Sequence, residues 1–175
     1  MSDLRERLRY LWSEIVRVQA ELDQYTDYAF PPPEPNPPAT AAQLEALQEH
    51  LGLQLPPSYR EFLGLHNGIE NFEYDLHLMS TEQIIANDEG WVEDLADEEP
   101  ELARFFFAGD DDTNAGCYVF DHQKVDDGGE MEVVHFSMRL EETRWPSFLD
   151  LLEERLKRSE EHLKSERADR DLLPD

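Results

Sequence analysis

A run of acidic and amide side chains has the oxygen donors that calcium prefers: Asp110-Asp111-Asp112-Thr113-Asn114. Positions one, three, five and twelve of a calcium loop would be filled by Asp110, Asp112, Asn114 and Asp121. However, Ala115 stands where such a loop needs its sharp-turn glycine, and the flanking segments have strand patterns instead of helix patterns. The aspartate at position twelve is also shorter than the usual bidentate glutamate. We therefore expect no metal site, and interpret Asp110–Asp112 as an acidic hairpin tip facing a partner or solvent.

Side chains for nucleophilic catalysis do not form a recognisable pair. The single cysteine, Cys117, lies in an apolar strand-like segment, where a buried thiol is usually inert. The six histidines include no HExxH motif and the chain has no CxxC pair, so a zinc site is not indicated. Paired carboxylates for glycoside hydrolysis are uninformative among 41 acidic residues. The sequence predicts a non-catalytic protein without a cofactor.

The charge is concentrated in the middle of the chain. The formal net charge is −26, of which −23 falls within residues 26–152, while residues 1–25 carry −1 and residues 153–175 carry −2. Such a middle segment repels phosphate, which argues against binding to nucleic acid or to an anionic membrane. Acidity kept for solubility is the alternative reading, although the balanced ends argue against a halophilic background.

The elements that must position these residues begin with an amphipathic helix, predicted over residues 1–26. Its apolar residues alternate at spacings of four and three: Leu4, Leu8, Leu11, Ile15, Val18, Leu22 and Tyr25. This heptad stripe could form a dimerising coiled coil, but three heptads are marginal alone, which favours packing on the domain. Residues 27–39 include PPPEPNPP and are predicted to be an extended linker.

The remaining pattern predicts two short helices, then antiparallel strands, then a closing helix. Thr40 and Gln43 form a capping box, Pro56 or Pro57 opens the second helix, and Asn67-Gly68 is a turn. Alternation predicts one strand over residues 73–79, and further strands near residues 105–107, 117–120 and 131–136. The fold class is therefore α+β, with an antiparallel or mixed sheet of about four or more strands packed by helices. Residues 154–175 are predicted to extend the last helix as a charged tail that frays.

The second short helix and its turn carry a family resemblance. The pattern LP-x-S/D-Y-x-x-F-L-x-x-x-N-G is similar to that of the SUKH superfamily, which groups fungal Smi–Knr cell-wall regulators with bacterial immunity proteins. The resemblance covers about residues 40–153, which we predict to be one domain. The motif residues are expected to be scaffold: Leu55, Pro56, Tyr59, Phe62, Leu63, Asn67 and Gly68.

The resemblance implies a cytoplasmic immunity protein that neutralises a toxin domain encoded nearby. Because nuclease toxins use basic side chains to grip phosphate, an acidic inhibitor would suit them, which suggests a basic partner. The candidate contacts are acidic residues with aromatic anchors: Asp88, Glu89, Trp91, Glu93, Asp94, Asp97, Glu98, Asp110, Asp111, Asp112 and Tyr118. Phe120 is an alternative anchor to Tyr118. The alternative function is a regulatory or scaffold domain without a toxin, assembled as a homodimer through the N-terminal helix.

Overall fold

The computed structural model describes residues 2–25, 31–73, 76–86, 105–111, 116–137 and 140–171. The helices are α1 (Ser2–Leu22), α2 (Ala41–Leu51), α3 (Pro57–Leu63), α4 (residues 81–86) and α5 (Phe148–Asp171). The strands are β1 (Glu34–Pro35), β2 (Ile69–Glu73), β3 (Leu76–Leu78), β4 (Phe105–Asp111), β5 (Gly116–Val125), β6 (Met131–Ser137) and β7 (Leu140–Trp145).

The strands form one sheet in which each pairs antiparallel with the next along the chain, in the order β1 to β7. Consecutive strands can pair in this way because short turns connect them, as at Asp126–Gly129 between β5 and β6. The α+β class predicted from the sequence is confirmed.

The two faces of the sheet bury different sets of side chains. Successive residues of a strand point to opposite faces, so Tyr118 and Phe120 lie on one side and Cys117 and Val119 on the other. The first side holds the main core, to which α1, α3 and α5 contribute. The second holds a small cluster of Phe105, Val119 and Val134. The helices therefore stack on one face of the sheet.

Helices α1 and α5 lie side by side and run parallel. Three contacts join residues that are all 146 positions apart: Arg7 with Glu153, Glu21 with Arg167, and Gln24 with Arg170. A constant separation means that both helices advance in the same direction. Five stripe residues of α1 are at most 1% exposed: Leu8, Leu11, Ile15, Val18 and Leu22. The prediction that the stripe packs on the domain is confirmed, and α5 is its main helical neighbour.

The N-terminal half of α1 also packs on the sheet and on α3. Trp12 stacks on Phe72 of β2, with ring centroids 5.8 Å apart, and lies 5.5 Å from the His66 ring. Arg5 donates to the Gly64 carbonyl at the end of α3, with a nitrogen–oxygen distance of 3.1 Å. These contacts make α1 part of the core instead of a separate appendage.

The prediction of one continuous strand over residues 73–79 is wrong. Glu73 of β2 pairs with Leu76 of β3, so the chain reverses there and forms a hairpin. Glu73 and Leu76 lie opposite each other and therefore on the same face, so the alternation changes phase in the hairpin and Glu73, polar in the pattern, is buried at 4% exposure. The pattern identified the extended conformation but could not reveal the reversal.

The Pro-rich segment is extended, as its composition predicts, but it is docked on the edge of the sheet. Glu34 and Pro35 pair with Glu70 and Ile69, and the Asn36 amide donates to the Gly68 carbonyl at 3.1 Å. Proline is tolerated on an edge strand because the outer side needs no donor.

Strand β7 was also not predicted.

The charged tail continues as helix to Asp171 and contacts α1. Leu163 is 4% exposed, Arg167 pairs with Glu21, and Arg170 lies over the Tyr25 ring. The predicted fraying is therefore wrong for the residues up to Asp171, because a neighbouring helix covers the apolar side. The division into residues 1–26, 27–39, 40–153 and 154–175 stays a prediction.

Candidate partner-binding surface

The predicted scaffold residues of α3 fill the main core. Tyr59, Phe62 and Leu63 are at most 1% exposed, and the Tyr59 ring lies 4.7 Å from Phe120 and 5.0 Å from Phe148. Burial raises the pKa of the Tyr59 hydroxyl far above its usual value. Leu55 and Pro56 are also buried just before the helix. These side chains hold the fold together and do not face a partner.

The start of α3 is capped from a distance. Glu130, in the β5–β6 turn, accepts from the Ser58 backbone amide at 2.8 Å and from the Ser58 hydroxyl at 2.6 Å. The first backbone amides of a helix have no partner within the helix, so a carboxylate there satisfies them. This contact fastens the motif helix to the sheet.

The turn after α3 fastens several segments through Asn67. Its side-chain oxygen accepts from the Thr81 amide at 2.9 Å, and its side-chain nitrogen donates to Glu82 at 3.2 Å. Its backbone amide donates to the Pro37 carbonyl at 3.1 Å, and its carbonyl accepts from the Asn36 side chain at 3.0 Å. Asn67 is 6% exposed and therefore works as a buried connector.

Gly68 follows with a φ of 83°, a left-handed conformation that glycine adopts without strain. A Cβ atom at this position would lie 2.6 Å from the Ser80 nitrogen and 2.7 Å from the Leu78 carbonyl oxygen. Only glycine therefore lets the turn approach the end of β3 so closely.

Glu82 lies at the exposed end of this network. Its Oε1 accepts from Gln43 at 2.6 Å, and its Oε2 accepts from Thr81 at 2.9 Å and from Asn67 at 3.2 Å. These hydrogen bonds, that of Gln43 foremost, lower the pKa of Glu82 to about 2. The carboxylate is therefore ionised and held in one orientation.

A surface groove of about 400 Å³ opens beside Glu82, and we call it the Glu82 groove. Its lining comes from the Pro-rich segment, the start of α2, the turn after α3 and the start of α4: Asn36, Pro37, Pro38, Thr40, Gln43, Asn67, Ser80 and Glu82. Sequence reasoning did not identify this groove. The capping signals Thr40–Gln43 and Ser80–Gln83 mark two helix starts on its rim, but no spacing in the sequence brings them together.

Further acidic side chains are exposed around the domain. Glu45 and Glu49 project from α2, and Glu34 lies directly opposite Glu70 across β1 and β2. Like charges opposite each other in a sheet are unfavourable, so this arrangement is not there for stability. Described basic side chains cluster elsewhere, since α1 and α5 hold ten of the 15 basic residues.

Most predicted contact residues lie outside the described residues: Asp88, Glu89, Trp91, Glu93, Asp94, Asp97, Glu98 and Asp112. The short helix or ordered loop predicted around Trp91 lies there too. Asp110 and Asp111 end β4, where they pair with Cys117 and Gly116 of β5. They lie next to the chain reversal between the two strands, as the hairpin interpretation expects.

Tyr118 does not have the surface position that an aromatic anchor needs. It is 3% exposed, stacks on His135 with ring centroids 4.5 Å apart, and accepts a hydrogen bond from Arg155 of α5. Phe120 is fully buried. Both side chains lie on the face of the sheet that the helices cover. The alternation in the sequence could not show which of the two faces that would be. We therefore correct their assignment from anchor to core.

Asp110 and Asp121, the two described residues of the calcium-like spacing, do not meet at one site. Asp121 pairs with Phe105, at the opposite end of β4 from Asp111. Its carboxylate is fully buried and accepts from Arg144 at 3.1 Å, so it already has a cationic partner within the protein. Among the described residues, no group of three or more His, Cys, Asp or Glu side chains could hold a metal ion.

The thiol of Cys117 is not activated. Burial and the nearby Asp110 carboxylate raise its pKa to about 11, so the thiol form dominates near neutral pH. A reactive cysteine needs the opposite environment, one that stabilises the thiolate.

An antiparallel sheet covered by helices on one face defines this protein as an α+β domain. The model of the SMI1 / KNR4 family (SUKH-1) matches residues 38–154, and the chain belongs to that family. The resemblance noted from the motif is thereby confirmed. No curated protein matches the chain. None of the described helices is long and apolar enough to cross a membrane.

Proposed function

We propose that this chain is a non-catalytic immunity protein that binds and neutralises a basic toxin domain in the cytoplasm. The observation that carries the proposal is that the excess of acidic residues falls within the segment that the family model matches. Residues 38–154, which the family model matches, contain 28 acidic and five basic residues. Members of this family on the bacterial side act as immunity proteins, and the charge selects a basic partner among their targets.

Electrostatic steering gives the acidic domain its advantage. A strongly negative surface raises the rate at which a basic protein finds it, by about 10- to 1,000-fold at low salt. Exposed Glu34, Glu45, Glu49 and Glu70 contribute to this field, and none of them has a basic partner among the described ion pairs. The acidic stretch around Trp91 stays a predicted part of the contact surface.

The alternative is a regulatory or scaffold domain without a toxin partner. A free N-terminal stripe able to dimerise would favour it, but that stripe is buried within the chain. The observation that favours the alternative is therefore weak, and we place the immunity function first.

Co-expression tests the proposed function. Cells that produce the protein encoded by the adjacent gene should be rescued by this chain, and the two proteins should copurify. If the chain neither binds that product nor rescues the cells, the immunity function is wrong.

Matched charge variants test the electrostatic part. The double variant Glu45→Gln/Glu70→Gln should slow association with the partner, whereas Glu160→Gln/Asp169→Asn on α5 changes the net charge equally and should have a smaller effect. Raising the salt concentration should slow association of the wild type, because the Debye length falls from about 10 Å at 0.1 M to about 3 Å at 1 M. Association rates that are equal in both variants and independent of salt would contradict steering.

A further inference from the structure

The Glu82 groove has the two features that a lysine side chain requires. A lysine has an apolar stem of four carbons and a compact ammonium that donates hydrogen bonds. The groove has the exposed rings of Pro37 and Pro38 in its lining and the fixed carboxylate of Glu82 as an acceptor. Its volume of about 400 Å³ lies within the range of about 300–1,000 Å³ typical of ligand sites.

The carboxylate of Glu82 is oriented before any ligand arrives. Gln43 holds Oε1, while Asn67 and Thr81 hold Oε2, and two of these three residues are themselves buried. Most exposed glutamates must be ordered when they bind a cation, which costs side-chain entropy. Glu82 has already lost that freedom on folding, so it is better prepared than Glu45 or Glu49 on the neighbouring helix.

The hydrogen bonds already present also limit what can bind. Two side chains donate to Oε2 and one donates to Oε1, and the Glu82 backbone amide also donates to the carboxylate. A carboxylate oxygen accepts about two hydrogen bonds, so Oε2 has no place left for a further side-chain donor and a new donor approaches Oε1. A guanidinium gains most from two parallel hydrogen bonds to both oxygens of a carboxylate, whereas a compact ammonium needs only one oxygen.

We propose, on the basis of the proposed function, that the Glu82 groove binds one lysine side chain of the basic partner. The stem lies along the rings of Pro37 and Pro38, and the ammonium donates to Oε1 of Glu82. The Asn36 side chain, which donates to the Asn67 carbonyl, has its amide oxygen left to accept from the same ligand. The groove thereby adds a specific anchor to an otherwise diffuse acidic surface.

Small lysine analogues test the groove without the partner. The full chain, labelled with ¹⁵N, is titrated with Nα-acetyl-lysine amide, with the arginine analogue, and with the uncharged norleucine analogue. The lysine analogue should shift the amide signals of Asn67 and Thr81 saturably, with a Kd about tenfold lower than that of norleucine. Equal shifts from norleucine, tighter binding of the arginine analogue, or no shifts at these residues would overturn the assignment.

Two charge variants complete the experiment. Glu82→Gln should weaken binding of the lysine analogue about tenfold, while Glu160→Gln, which removes an exposed carboxylate from α5, should leave it unchanged. Undiminished binding to Glu82→Gln would overturn the proposal. If Glu82→Gln fails to fold, the comparison of lysine with norleucine on the wild-type chain still decides.

The same variants separate this inference from the proposed function. In the co-expression assay, wild-type rescue combined with weaker rescue by Glu82→Gln supports both. Full rescue by Glu82→Gln contradicts the lysine site and leaves the immunity function intact. Failure of the wild type to rescue contradicts the immunity function, whereas the titration with lysine amide still tests the groove.

Discussion

The polar contacts between α1 and α5 join exposed side chains, whereas those of the turn after α3 involve the buried Asn67 and Thr81. Arg7 and Glu153 have side chains 47% and 41% exposed, while Asn67 and Thr81 are 6% and 1% exposed. Exposed ion pairs contribute about 0–1 kcal/mol each, but a buried polar group without its partner costs about 1–3 kcal/mol. The helix pair therefore depends on its apolar stripe, whereas the contact of Asn67 and Gly68 with residues 78–82 depends on close approach and hydrogen bonds.

The comparison also explains where the excess charge lies. Acidic residues on the helix pair are matched by bases nearby, as Glu14 and Glu21 are by Arg17 and Glu154 is by Arg158. The sheet and the short helices have few bases, and exposed acids there, such as Glu34, Glu45 and Glu70, have no basic partner among the described ion pairs. The two long helices are thus close to charge-balanced, while most of the net negative charge lies in the chain between them.

The largest expected effect on stability is at Gly68, where the turn after α3 approaches the end of β3. Gly68→Ala adds both a strained φ and a contact of 2.6 Å with backbone, so it should cost at least about 4 kcal/mol or prevent folding. Gly52→Ala is the control, because Gly52 has a φ of 67° but nothing within 4 Å, and should cost about 1–2 kcal/mol. Urea unfolding measures both. Equal costs would show that the approach of the turn to β3 is unimportant.

The next largest effect is expected in the apolar stripe of the helix pair. Ile15→Ala should lower the free energy of unfolding by about 2–5 kcal/mol, because Ile15 is 1% exposed. Tyr10→Ala, on the exposed side of the same helix at 51% exposure, should change it little. A loss below about 1 kcal/mol for Ile15→Ala in thermal or urea unfolding would mean that α1 is an appendage after all.

A smaller effect is expected from acid at Glu82. Because its pKa in the folded protein is lowered to about 2 from an ordinary value of 4.5, the ionised form stabilises the fold. That stability is fully present above pH 4.5 and is lost as the pH falls toward 2. Glu82→Gln should therefore flatten the dependence of unfolding on pH between 4.5 and 2. Glu45→Gln is the control and should leave this pH dependence unchanged. If Glu82→Gln also leaves it unchanged, the hydrogen bonds to Glu82 do not favour its ionised form.

The smallest effect is expected from the ion pairs along α1 and α5. Arg7→Gln removes the contact with Glu153 and should change stability by less than about 1 kcal/mol, because both side chains are exposed. Urea unfolding of wild type and variant at low and high salt measures it. A larger loss would contradict the view that the stripe, and not the ion pairs, holds the two helices together.

Much of the fold could be predicted because local signals were strong. The capping box of Thr40 and Gln43, proline at the start of α3 and the left-handed Gly52 after α2 are each properties of a few adjacent residues. Strands β4, β5 and β6 followed from apolar runs between turn residues. The hairpin of β2 and β3, the docking of β1 and the presence of β7 were missed because pairing joins residues whose separation leaves no local trace.

The candidate site was less predictable than the fold. The acidic composition located the domain, and the motif located its scaffold. Nothing in the sequence distinguished Glu82 from the other 40 of the 41 acidic residues. What distinguishes it is that Gln43 and Asn67 meet at its carboxylate from segments far apart in the chain. Tyr118 shows the opposite error, since an aromatic residue beside acids in the sequence lies in the core.

The amino-acid sequence by itself determined the α+β class, the family, the apolar stripe of α1 and the placement of charge in the middle of the chain. These depend on composition, short motifs and periodicity, which require no knowledge of distant contacts. Only the tertiary structure decided that the stripe lies parallel to α5, that the Pro-rich segment closes an edge of the sheet, and that Glu82 is fixed beside an open groove. Each of these depends on side chains from remote segments meeting in space, where burial and hydrogen-bond geometry set the energy.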